Sequence, residues 1–219
     1  GFLNYQVTPQ VLVQKTIKFD QMLRYVDSLK PVMEMIQFSQ GFHNRLFEKE
    51  PFLKLKPLLE SYQNDTLLPS ALNDEDNEIR KQLNYYVEGC LVGPTIVRLG
   101  MNGMFHKYFM ESSFKAEEYH KDPESFEKLL DFLTHLGWFQ KKNHNYSFTD
   151  QGLFFARRAT SYGVTVSYLP MLSQMQHLLF GNVLEVKQDN GGQQEIHVDR
   201  AMNVWGSGGA HATYFKAVD

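Results

Sequence analysis

A single cysteine, Cys90, excludes a disulfide within the chain, and no Cys/His cluster at zinc spacing supplies a metal staple in its place. A reducing, cytoplasmic compartment is therefore expected. No apolar run approaches the roughly 20 residues that cross a bilayer. The opening Gly1-Phe-Leu-Asn-Tyr-Gln6 has neither the basic region nor the long apolar stretch of a signal peptide, so no membrane partner is expected. An excess of one charge is missing as well. Against 25 acidic residues there are 22 basic ones, for a net charge of -3, and binding of a polyanion would need a local patch rather than a global field. Internal repeats and low-complexity tracts are absent. The eight histidines show no paired H-x-x-x-H spacing, and the acidic run Asp74-Glu75-Asp76 has the character of a solvated helix N-terminus. Cys90, between Gly89 and Leu91, reads as a small buried thiol rather than a nucleophile. Ser207 lacks the strand-to-helix elbow of a hydrolase serine. No catalytic, cofactor-binding or metal-binding residue emerges.

Core-forming material, by contrast, is plentiful: 42% of the 219 residues are apolar and 14% aromatic, enough for one large domain or two small ones. The pattern is mainly α. Over residues 1–112 the apolar positions Val11, Leu12, Ile17, Phe19, Met22, Leu23, Val26, Leu29, Val32, Met33 and Ile36 recur every three or four residues, a helical stripe. Pro9 after Thr8 predicts a helix start, and Pro31 a break or kink. Pro51 opens a further helix through Phe52, Leu55, Leu58 and Leu59. Gln63 to Thr66 predicts a turn. Ser70 to Asn77 predicts the cap and first turn of a helix with Ile79, Leu83, Tyr86, Val87 and Leu91 on its core side. Gly93-Pro94 should interrupt that helix, with Ile96 to Phe109 continuing in register.

Residues 113–160 have a more specific order. Asp122-Pro123 starts a helix with stripe Phe126, Leu129, Leu130, Phe132, Leu133 and Leu136, and Gly137 stops it. Trp138-Phe139 opens an extended stretch, Lys141 to Asn145 is a polar turn, and Tyr146 to Thr149 alternates before Thr149-Asp150-x-Gly152 caps the next helix. Helix, stop, hairpin and capped helix spell a winged helix. In residues 161–219, Tyr168-Leu169-Pro170 leads into a helix ending at Gly181. Val183–Val186 and Glu195–Val198 suggest a second small hairpin around Asp189 to Gly192. Gly206-Ser-Gly-Gly209 predicts a flexible turn or helix cap, since a nucleotide-binding βαβ unit needs roughly 30 residues. A helix opening with Tyr214-Phe215 should follow. If Asp199 to Ala210 were helical, Arg200, Asn203, Ser207 and His211 would share a face.

A winged helix invites a nucleic-acid reading, with Lys141, Lys142 and His144 on the wing and Arg157 and Arg158 beyond it. Asp122, Glu124 and Glu127 on the preceding helix would repel phosphate, and no nucleic-acid partner is expected.

The run Phe126-x-x-Leu129-Leu130-x-x-Leu133-x-x-Leu136-Gly137-Trp138, then Tyr146-x-Phe148-Thr149-x-x-Gly152, resembles the winged-helix region preceding the catalytic core of many class I S-adenosylmethionine methyltransferases. Two more specific runs are Ser167-Tyr168-Leu169-Pro170 and His197-x-Asp199-Arg200-x-x-Asn203-Val204-x-x-Ser207-Gly208-x-x-His211-x-x-Tyr214-Phe215. These resemble the N-terminal lid of C-methyltransferases in bacterial polyketide synthase loading modules. The resemblance covers roughly Leu91 onward and implies two functions. One is a non-catalytic adaptor packed against an acetyltransferase-like domain. The other is the lid of a methyltransferase acting on acyl groups held by the phosphopantetheine arm of an acyl carrier protein. S-adenosylmethionine would enter only with a downstream core. Tyr168, Arg200, Asn203, Ser207, His211, Tyr214 and Phe215 are then the residues expected to face substrate or a partner domain.

Overall fold

A computed structural model describes residues 3–7, 9–38, 49–187 and 195–218. Among the described residues the chain is mainly α with two small antiparallel hairpins. The first, β1 (Leu3–Val7) with β2 (Val11–Lys15), stands where a helix start is expected at Pro9. The apolar stripe inferred to begin at Val11 and Leu12 misleads there. Tyr5 pairs with Val13 and Val7 with Val11, so one face carries β-branched and aromatic cross-strand pairs, and Pro9, lacking an N–H, falls in the bend between the strands. Both strands are exposed along their whole length.

Helix α1 (Ile17–Met22) and a 3-10 turn (Leu23–Tyr25) lead into α2 (Val26–Phe38), which continues through Pro31. Pro31 is exposed, so the carbonyl that loses its helical partner can turn to water. Helix α3 (Lys49–Gln63) buries Phe52, Leu55, Leu58 and Leu59 as its stripe requires and ends in a turn with Asp65 at φ 56°. The long α4 (Asp74–Met101) is capped by Asn73, whose side chain accepts the Asp76 N–H. Gly93-Pro94 does not interrupt it. Pro94 is buried within it, with Ile96 and Val97 close behind, and the Thr95 hydroxyl donates to the Leu91 carbonyl at 2.7 Å. Packing on several sides outweighs the lost backbone bond. Tyr86, expected at a core position, is instead exposed.

After α5 (Lys107–Glu111) and α6 (Ala116–Tyr119), the winged helix forms as its residues specify. Asp122 caps α7 (Pro123–His135) by accepting the Ser125 N–H, with Pro123 at the first helical position. Phe126, Leu129, Leu130, Phe132 and Leu133 are all buried. Gly137 takes φ +82°, the left-handed conformation that ends a helix without Cβ strain. Strands β3 (Phe139–Lys142) and β4 (Asn145–Phe148) make the wing, joined by a two-residue turn with Asn143 at φ 55°. Thr149 then caps α8 (Asp150–Ala156) through the Gly152 N–H. A side chain at Gly152 would stand 2.1 Å from the Trp138 carbonyl oxygen, so the glycine of the cap motif is demanded by the residue that leads into the wing. Trp138 and Phe139 are both buried, and Trp138 stacks on Phe155 at 4.8 Å. Phe114 exchanges backbone hydrogen bonds with Tyr146 and extends the wing by one rung.

Helices α9 (Ala159–Ser167), α10 (Leu169–Leu172) and α11 (Met175–Phe180) follow. The single helix expected from Met171 to Leu179 is broken by a turn at Ser173-Gln174. Val183–Lys187 is a helix, α12, and not a strand. The expected hairpin does not form from it: the Ile196 N–H and a His197 ring nitrogen meet the Lys187 carbonyl at the end of α12. The expected turn at Asp189 to Gly192 lies outside the described residues. The chain closes in α13 (Arg200–Val218), one continuous helix in which Gly206-Ser-Gly-Gly209 and Tyr214-Phe215 are interior. The flexible glycine turn is thereby overturned. The main core gathers α3, α4, α7 and the wing around Phe114, Phe126, Phe132 and Trp138. Among the described residues no helix is long and apolar enough to cross a membrane.

Candidate functional surface

Two of the three glycines of α13, Gly206 and Gly209, serve helix packing. An alanine at position 206 would hold its Cβ 2.7 Å from the Gly163 Cα, and one at position 163 would stand equally close to the Gly206 Cα. A Cβ on Gly209 would meet the Thr160 side chain at 2.4 Å. Helices α9 and α13 therefore cross with their backbones nearly touching, as small residues permit and Cβ atoms forbid. Trp205 lies against Gly100 of α4, where a Cβ would come within 2.9 Å of its ring.

A buried polar junction fixes the start of α13. Asp199 caps it through the Met202 N–H at 2.9 Å, and its own N–H donates to the Ser167 carbonyl at 2.8 Å. The same carboxylate pairs with Arg98 of α4, whose side chain is 5% exposed, a depth at which an unpaired guanidinium would be prohibitive. The Asn203 amide donates to Ser167 Oγ at 3.0 Å, and Ser167 Oγ donates to the Val164 carbonyl at 2.6 Å. Sequence reasoning misses Arg98, because a single arginine inside an apolar helix does not announce its partner 101 residues away.

The seven expected contact residues divide around this junction. Asn203 and Ser207 are half-buried beside it, and Asn203 belongs to its hydrogen-bond network. Tyr168 is half-buried between α9 and α10, its ring 6.3 Å from that of His197. Arg200 is exposed and donates to Glu195 at 3.0 Å; that bond raises the guanidinium pKa and lowers the carboxylate's. His211, Tyr214 and Phe215 are exposed, with both aromatic rings 6.2 Å from the imidazole. Because α13 is continuous, all six of its candidates fall within about a third of the helix circumference, centred away from the glycine face that meets α9. Val204, 62% exposed, and Val218, 86%, lie in the same stripe.

The wing's cations are partly engaged by α7. Lys141 bonds to Asp131 at 2.7 Å and lies over the Tyr146 ring, and His144 is 3.6 Å from Glu127. Tyr146 also donates to Asp131, and burial followed by that bond pushes its phenol pKa up. Burial likewise raises the Cys90 thiol, which keeps it protonated and unreactive at neutral pH. Among the described residues no three His, Cys, Asp or Glu side chains gather as a metal site. A cleft of about 340 Å³ between α3 and α7 holds Lys56 and Lys128 beside Asp122 and Glu124, which leaves it without a charge preference.

Residues 88–182 match the AprA winged helix domain. The matched stretch runs from the second half of α4 through the helix-wing-helix unit to just past the end of α11, and so includes Arg98, the Gly163 crossing and the Ser167-Tyr-Leu-Pro170 run. No curated protein matches the chain.

Proposed function

We propose that this chain is a non-catalytic adaptor of a bacterial polyketide synthase loading module, holding an acetyltransferase-like domain against the outward face of α13. The observation that carries this is the stripe Val204, His211, Phe215 and Val218, flanked by Tyr214. Steps of three, four or seven residues are those of a helix packing seam, yet Tyr214 is 68% and Phe215 67% exposed. A monomer gains nothing from presenting aromatic side chains there to water, and Tyr and Phe are suited to the buried centre of an interface. The opposite face of α13 is anchored between Asp199 and Gly209 by the glycine crossing and by Arg98 with Asp199, and the stripe runs on from that anchored half to Val218. The AprA winged helix match and the Tyr168 and α13 sequence runs support the assignment to this class of module.

Hydrogen exchange tests it. Attaching an acetyltransferase-like domain of a loading module should slow exchange of amides between Asn203 and Phe215 relative to the chain alone. Tyr214→Ala and Phe215→Ala should weaken that docking and leave the melting temperature of the chain unchanged. Equal exchange with and without the partner would refute the adaptor. Protection given only by a methyltransferase core would instead establish the lid function. The chain alone should bind S-adenosylmethionine no more tightly than about 100 μM, roughly -5.5 kcal/mol.

A further inference from the structure

A second feature lies on the other side of α13. Where the C-terminal end of α4, α5, the α8–α9 junction and α13 meet, a cavity of about 400 Å³ opens to the surface, within the range of small-molecule sites, about 300–1,000 Å³. Its walls are the half-buried side chains of Phe105, Met110 and Trp205, and the Trp205 ring is held in place by its contact with Gly100. Arg157 and His106 line the same cavity and are exposed. Neither makes an ion pair or a side-chain hydrogen bond with a described residue. Their neighbours differ. Arg158 stacks on Phe154 at 3.8 Å and donates to the Phe154 carbonyl at 3.0 Å, while Lys107 and Glu111 face each other at 3.8 Å. The uncommitted cation at this opening is therefore Arg157, with the His106 ring beside it.

The geometry points to a binding site for a medium-chain aliphatic carboxylate, its chain lying against the apolar walls and its head group against Arg157. The apolar walls replace water around methylenes, a gain of about 0.8 kcal/mol for each one buried. The planar guanidinium of Arg157 offers two parallel N–H donors to a carboxylate. A neutral chain would leave that arginine unanswered, and a small anion without a chain would leave the walls wet. This site is independent of the α13 docking face, which points the opposite way, so either can fail without the other.

Calorimetric titration of the full chain with octanoate tests it. One molecule should bind, with a Kd below about 1 mM. Hexanoate should bind about 15-fold more weakly, the effect of two methylenes at about four-fold each. Arg157→Gln should weaken octanoate at least about ten-fold and leave 1-octanol unchanged, and Arg158→Gln should change neither. A bulkier wall, Met110→Trp, should abolish both ligands. Should that variant lose its helical circular dichroism, the Trp205→Phe protein supplies the readout instead, because octanoate should alter tryptophan fluorescence in the native chain and not in that variant. A Kd weaker than about 1 mM, an affinity indifferent to chain length, or equal effects of the Arg157 and Arg158 changes would each overturn the site.

Discussion

Two glycines two residues apart on α13 should respond to alanine with opposite signs. At Gly208 nothing lies within 4 Å of a new Cβ, so Gly208→Ala collects only the helix-propensity gain, about 0.5–1 kcal/mol. At Gly206 the same methyl would stand 2.7 Å from the Gly163 Cα and 2.8 Å from the Val164 nitrogen. Carbon atoms rest at about 3.5–4.0 Å, so α13 must withdraw by roughly 1 Å. The obstructing atoms are backbone and cannot rotate aside. Overpacking costs about 1–3 kcal/mol, a clash with backbone atoms that cannot yield falls in the upper part of that range, about 2–3 kcal/mol, and after the propensity gain about 1–2 kcal/mol of net destabilisation remains. In a domain of this size 1 kcal/mol moves the melting temperature by about 2–4 °C. Gly208→Ala should therefore melt about 1–4 °C higher than the parent and Gly206→Ala about 2–8 °C lower, followed by circular dichroism at 222 nm. The difference between them isolates the helix crossing from the propensity of α13. If Gly206→Ala melts at or above Gly208→Ala, α9 and α13 do not cross with their backbones in contact, and the packing role of these glycines is wrong.

Replacing Arg98 by Met leaves the Asp199 carboxylate enclosed without its partner and should cost about 3–5 kcal/mol by urea denaturation, part of it recovered when Asp199→Asn is added; an unchanged urea midpoint would show that the pair is solvated. Trp138→Ala should cost about 3–5 kcal/mol, because the ring is buried and stacked on Phe155, whereas a small loss would mean that the wing is peripheral to the core. Asp122 has its carboxyl pKa lowered by its hydrogen bond with Ser125, so its stabilisation is present above the unfolded-state value near 3.9 and is lost as pH falls through the lower folded value. Asp122→Asn keeps the cap and should flatten the loss of melting temperature between about pH 5 and 2; an unaltered profile would remove Asp122 from the acid response.

The winged helix is legible in the sequence because each of its parts is a local device. Asp122 and Pro123 start α7, Gly137 supplies the positive φ that ends it, and Thr149 caps α8, all through contacts within a few residues. Local rules of this kind need no knowledge of the rest of the chain. The shared face of the α13 residues, too, is readable. Arg200, Asn203, Ser207 and His211 lie together because a helix of period 3.6 places them so.

Whether that helix exists is a different matter, and only the tertiary structure decides it. By propensity, Gly206, Gly208 and Gly209 argue for a turn, and Gly93-Pro94 argues for a break in α4. Both inferences fail because contacts made only in the folded protein outweigh local propensity. A residue that weakens an isolated helix can strengthen a packed one, when its small size lets a second backbone approach. Gly163 meets Gly206, and Gly209 admits Thr160. Pro94 is a different case: it lies in a buried section of α4, where packing on several sides offsets its missing N–H, and a Cβ on Gly93 would be in ordinary contact with Val166 at 3.5 Å. The Arg98–Asp199 pair and the cavity beside Trp205 are beyond the reach of sequence for the same reason. Each is made of residues from helices far apart in the chain, and their meeting depends on how closely α4, α9 and α13 can pack.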